Sequence, residues 1–175
     1  VPDPRQLTSL ESFALAVYVW PTRLGKSRQA LLGTWQEETG VGYGMEIDAQ
    51  GCLSLRVGDG HRVCTVSLPT PLTERRRQLV AASFDADESL ATLLCQPHSD
   101  KQFPVIDESK AEFTLDVSLS ASTKGFCMAA WPTGNGKATS CHFDGKLDRP
   151  RLGRGPILST ALAGFANAKS DTLAQ

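Results

Sequence analysis

Apolar residues recur at every second position along much of this chain. Phe13, Leu15, Val17 and Val19 alternate with Ala14, Ala16, Tyr18 and Trp20 until Pro21-Thr22 ends the run. Alternation with period two puts successive side chains on opposite faces, so the segment predicts a half-buried β-strand with Trp20 turned away from the apolar stripe. Gln29 to Trp35 and Gly42 to Asp48 predict two further strands, the latter closed by the turn Asp48-Ala49-Gln50-Gly51. Leu53, Leu55 and Val57 share one side of the next strand, which turns at Gly58-Asp59-Gly60 into His61 to Leu68. Gln78 to Phe84 and Leu90 to Gln96 predict a hairpin around Asp85-Ala86-Asp87. Glu112 to Leu119, Gly125 to Trp131 and a long strand from near Ala138 to Leu152 follow.

Strands at such short intervals, punctuated by Gly, Pro and Asp, leave no room for the crossover helices of an α/β fold. The expectation is all-β: a two-sheet antiparallel sandwich. Only Pro156 to Ala166 has helical character, so at most one short C-terminal helix is expected. Pro97 to Ser109 and Pro132 to Lys137 read as exposed connections.

Composition narrows the classes. With 175 residues, 41% of them hydrophobic and 21% charged, the chain reads as one globular domain over 1–175. A net charge of −1 provides no field for a nucleic-acid backbone, and Arg75-Arg76-Arg77 reads as a solvated turn. No apolar stretch is long enough to span a bilayer, so neither nucleic acid nor membrane is expected as a partner. The chain starts at Val1 in a proline-rich segment and ends in AKSDTLAQ, which leads to the expectation of a domain excised from a longer multidomain protein. Cys52, Cys64, Cys95, Cys127 and Cys141 are odd in number and lack a CxxC, which favours free thiols and a cytoplasmic setting. A two-residue Asp-Gly turn would set Cys64 against Leu55 and put Cys52 on the other face, disfavouring a disulfide between them.

Several segments together carry a resemblance. The runs SFALAVYVWPT, QALLGTW, GYGMEIDAQGCLSLRVGDG, RRRQLVAASFDADESLATLLCQ and HFDGKLDRPRL resemble laminin-G-like domains of the concanavalin A-like superfamily, over about Leu7 to Leu158. The resemblance implies a jelly-roll topology. The closing run His142 to Leu152 is similar to the jelly-roll domain in the large subunit of the N,N-dimethylformamidase family, a bacterial setting. In that family the jelly roll is an accessory domain, and an iron held by tyrosine and glutamate acts in a separate domain. Neither Tyr18 nor Tyr43 lies in a motif resembling that site, so no iron ligand is carried over.

Candidate chemistry is sparse. The fold also hosts β-glucanases, whose strand carries Glu-x-Asp-x-x-Glu, because retention needs two carboxyls about 5 Å apart. Glu46-Ile47-Asp48 matches the first two acids, but Gly51 stands where the third belongs. Cys95, His98, Cys141 and His142 make a poor zinc set, since adjacent strand residues point to opposite faces. In domains that Gly145-Lys146-Leu147-Asp148 resembles, the aspartate helps hold a structural calcium, so Asp148 is the single metal candidate. Arg149 and Arg151 compete for it as salt-bridge partners. No other cofactor is indicated.

Trp20 and Trp131, with Asn135 in the loop after Trp131, are the candidate ligand-binding residues; Trp35 reads as core. Exposed tryptophan serves sugar binding and protein contact alike. The leading expectation is a non-catalytic accessory module packed against a catalytic domain or subunit of its parent enzyme. A carbohydrate-binding module is the alternative, and a glycoside hydrolase stands last.

Overall fold

A computed structural model describes residues 10–98, 108–122, 125–134 and 138–168. Its strands are β1 (Phe13–Pro21), β2 (Gln29–Gly33), β3 (Val41–Ile47), β4 (Cys52–Asp59), β5 (Val63–Pro71), β6 (Gln78–Asp85), β7 (Leu90–Pro97), β8 (Ser109–Thr114), β9 (Cys127–Met128), β10 (Trp131–Thr133), β11 (Ala138–Ser140) and β12 (Gly145–Arg154). One helix, α1 (Leu162–Asn167), follows. The strands build two five-stranded antiparallel sheets, ordered β12-β1-β6-β7-β8 and β5-β4-β3-β2-β9, and β10 pairs with β11 as a separate ribbon. The all-β sandwich with one short helix is as the alternation predicts. Among the described residues no helix is long and apolar enough to cross a membrane.

The period-two pattern becomes the core. Phe13, Leu15, Val17 and Val19 of the first sheet point between the layers with Val80, Ala82, Phe84 and Leu93. From the second sheet they meet Met45, Ile47, Leu53, Leu55 and Val57, all fully buried. The Phe13 ring stacks on Tyr43 with centroids 4.2 Å apart and an interplanar angle of 21°, tying one layer to the other. Each such side chain withdrawn from water contributes about 1.5–3 kcal/mol.

The structure departs from the sequence reading where local chemistry overrides alternation. The β4–β5 turn is longer than the two-residue form: Gly58 pairs with Val63, and Cys64 faces Val57 rather than Leu55. The Asp59 carboxylate accepts from the backbone N–H of His61 and Arg62, both at 2.7 Å, which stabilises the longer turn and lowers the acid's pKa. The register moves by two residues, so side chains keep their faces, and all five cysteines are free.

The expected strand Gly125 to Trp131 divides into β9 and β10 at Ala129, whose φ is +64°. The expected strand from Ala138 divides into β11 and β12 after Cys141, at φ +53°. Pro132 and Thr133, expected within a plain connection over Pro132 to Lys137, instead belong to β10 and pair with Thr139 and Ala138 of β11. Asn135 and most of the Pro97 to Ser109 connection lie outside the described residues. The helix is shorter than Pro156 to Ala166, because the Ile157 N–H is drawn to Ser83 Oγ at 2.8 Å, which holds the approach segment against β6.

Gly44 tests the packing on the far side of the second sheet. A Cβ there would come within 2.8 Å of the Trp131 ring and 3.1 Å of the Trp35 Cβ. Gly44→Val is expected to cost about 1–3 kcal/mol in urea unfolding, whereas Gly164→Ala, facing open space in α1, is expected to be neutral or stabilising by up to about 1 kcal/mol.

Candidate functional site

The outer face of the first sheet carries small residues. Ala14, Ala16 and Ala81 let α1 approach closely, and Leu162, Phe165 and Ala166 pack onto them together with Leu79 and Leu94. Farther along β1 the same phase brings up Tyr18 and Trp20. The Tyr18 hydroxyl donates to Asn167 Oδ1 at the end of α1. Beyond that point the helix no longer covers the sheet, and Trp20 is 43% exposed.

Pairing adds the polar groups. Tyr18 lies opposite Asp148 and Trp20 opposite Lys146 across the β1–β12 ladder. The Arg77 guanidinium sits 4.3 Å from the Tyr18 ring centroid and donates to Asp148 Oδ2 at 2.7 Å. Tyr18, Val19, Trp20, Arg77, Lys146 and Asp148 thus surround a shallow hollow of about 150 Å³. Two sequence candidates, Trp20 and Asp148, meet here. Arg77 is the residue the sequence reading missed, having been counted with a solvated turn. Of its two arginine neighbours, Arg76 is buried and donates to the His98 carbonyl, while Arg75 has φ +55°. The signal that identifies Arg77 is its register beside Leu79, which opposes Tyr18, and that pairing spans much of the chain.

Asp148, the calcium candidate, is engaged in ion pairs. Arg77 occupies one carboxylate oxygen, with Arg149 Nε 3.8 Å from the same atom. Among the described residues no three His, Cys, Asp or Glu side chains gather closely enough to hold an ion. The first salt-bridge partner of Asp148 is Arg77, where the sequence suggested Arg149 or Arg151; Arg151 instead donates to the Ala168 carbonyl.

Trp131 corrects the expectation of an exposed platform. It is fully buried on the outer face of the second sheet, in a cluster with Ala30 and Trp35. Its indole N–H donates to Glu46 Oε2 at 3.3 Å. Glu46, 1% exposed, also meets Arg56 at 3.1 Å and Arg28 at 3.6 Å. Arg28 reaches Glu37 at 2.5 Å, and Arg56 lies 5.3 Å from the Trp35 ring centroid. Burial pushes the Glu46 carboxyl up, while Arg56 and Arg28 oppose the shift. Asp48 is spent elsewhere: its Oδ1 accepts from the N–H groups of Gln50 at 3.0 Å and Cys52 at 2.8 Å. One acid is locked between two guanidinium groups and an indole and the other caps a turn, so the pair does not frame a glycosidic bond.

Comparison with known proteins agrees with this architecture. The CBM40 domain of the Ruminococcus gnavus IT-sialidase, bound to α2,3-sialyllactose, matches with a TM-score of 0.69 at 15% identity, covering 91% of this chain and 85% of that one. The LG1–3 region of the laminin α2 chain matches at 0.62 and 11% identity, over 87% of this chain and 28% of that one. The chain has the jelly-roll sandwich fold of these domains. No family model matches it. In sequence, this jelly roll is similar to the N,N-dimethylformamidase beta subunit of Paracoccus aminophilus, with 24% identity over 160 residues and 81% of the chain covered. It spans 20% of that relative's length.

Two outcomes follow from the charged groups of the jelly roll. With its folded pKa held above the ordinary 4.5, Glu46 binds a proton more readily in the native state, so its contribution to stability falls as pH rises through the window upward from that value. In urea unfolding between acid and neutral pH, the stability of the wild type relative to Glu46→Gln should therefore decline as pH increases. A calcium site filled at a hundred times its dissociation constant would add about 2.7 kcal/mol. With Asp148 held by Arg77, melting with calcium and with chelator should coincide.

Proposed function

We propose that this jelly roll is a non-catalytic accessory module of a larger enzyme and docks on a catalytic domain or neighbouring subunit through the Tyr18–Trp20–Arg77 face. The observation that carries the reading is Trp20, 43% exposed beside a guanidinium-stacked tyrosine, where α1 leaves the sheet uncovered. Trp, Tyr and Arg are the side chains in which binding energy concentrates at protein interfaces, since they bury large area at small entropic cost and keep a polar handle. The likeness to one fifth of an N,N-dimethylformamidase beta subunit supports an amidohydrolase of that kind as the parent.

A second reading is a carbohydrate-binding module. The sialyllactose-bound neighbour supports it, as does an exposed indole flanked by Lys146, Arg77 and Asp148, groups able to bond sugar hydroxyls. On this reading the platform is Trp20, because Trp131 is buried.

Trp20→Ala separates the two readings. Sedimentation of the jelly roll mixed with the remainder of its own parent protein should show a complex that Trp20→Ala weakens by at least about tenfold, or 1.4 kcal/mol. Glycan-array binding abolished by the same substitution, without such a complex, would replace docking by saccharide recognition.

A further inference from the structure

At the other side of Pro21 the chain builds a pocket that the docking face does not use. The loop between β1 and β2 and the segment entering β12 border an open pocket of about 380 Å³ lined by Arg23, Lys26, Ser27, Gln29, His142, Phe143 and Asp144. That volume lies within the range of small-molecule sites. We propose that this pocket binds a small hydroxylated oxyanion, a sugar acid or a sugar phosphate.

The walls are braced in place. Gln29 is 4% exposed, and its side chain bridges the two segments: Nε2 donates to the Arg23 carbonyl and Oε1 accepts from the Asp144 N–H, both at 2.8 Å. The Thr22 N–H donates to the Asp144 carbonyl at 2.7 Å, and the Leu24 N–H donates to Glu74 Oε1 at 2.6 Å. The loop carrying Arg23 and Lys26 is therefore tied to β6's approach on one side and to β12's approach on the other. His142 is anchored by its Nε2, 3.2 Å from both the hydroxyl and the carbonyl oxygen of Thr139.

The charge inside this frame is unbalanced. Arg23 and Lys26 have no ion-pair partner among the described residues, whereas Arg28, Arg56, Arg62 and Arg77 each meet a carboxylate. Asp144 is the single acid in the lining, so two permanent cations and an imidazole face one negative charge. A carboxylate or phosphate restores the balance through charge-assisted hydrogen bonds. Ser27 and the Asp144 carboxylate can bond hydroxyls, and the Phe143 ring offers an apolar wall to the ring of a sugar. A neutral sugar would leave the cations unmatched.

Isothermal titration of the whole chain with glucuronate, glucose 6-phosphate and glucose tests the proposal. At least one anionic sugar should bind with a dissociation constant below about 10 mM, glucose should bind at least about tenfold more weakly, and the doubly substituted Arg23→Gln/Lys26→Gln protein should lose at least about tenfold in affinity with an unchanged melting temperature. Binding of glucuronate alone assigns a carboxylate, and binding of glucose 6-phosphate alone a phosphate; either supports the site. Trp20→Ala should leave the affinity intact, which keeps this result separate from the fate of the docking face. The proposal falls if neither anion binds, if glucose binds as tightly, if the double variant binds like the wild type, or if Trp20→Ala abolishes binding.

Discussion

The packing of one sheet's apolar face on the other is the constraint on which the remaining features depend. Phe13 on Tyr43 is its most direct contact, with Phe84 5.9 Å from Phe13 on the other side. Once those odd-numbered β1 residues turn inward, the pleat leaves no choice for the rest: Tyr18 and Trp20 must emerge on the outer face. The outward position of Tyr18 and Trp20 is thus a geometric consequence of the core.

Each sheet then handles its outer face differently. On the first, alanines in β1 and β6 accept a six-residue helix, too short to cover the whole strand, and the remainder stays open around Trp20. On the second, Gly44 and Ala30 accept two tryptophans, and the buried Glu46 satisfies the indole of one while neutralising the guanidinium groups around it. Removing one member of such a cluster leaves a charge without its partner, which is most costly for Glu46, the member that water does not reach. The acid that most resembles a catalytic residue in the sequence is therefore a structural one.

The edges follow the same economy of exposure. Strand β12 runs along one margin of the first sheet and is largely exposed, but it carries Lys146, Arg149, Pro150, Arg151 and Arg154, and its pairing with β1 shifts register between Ala16 and Tyr18. Charge, proline and a bulge all oppose further strand addition at that margin.

Alternation and turn residues by themselves determined the strands from β1 to β7, the sandwich class, the inward stripe of β1 and the outward direction of Trp20, because those properties depend on neighbours one or two residues apart. They also placed Asp48 in its turn. The burial of Trp131, the pairing of Arg77 with Tyr18 and Asp148, and the assembly of Arg23, Lys26 and His142 around Gln29 were decided only in three dimensions. Each joins residues separated by dozens of positions, and the strand pairing that unites them is set by the collective fit of two sheets, for which no local pattern exists.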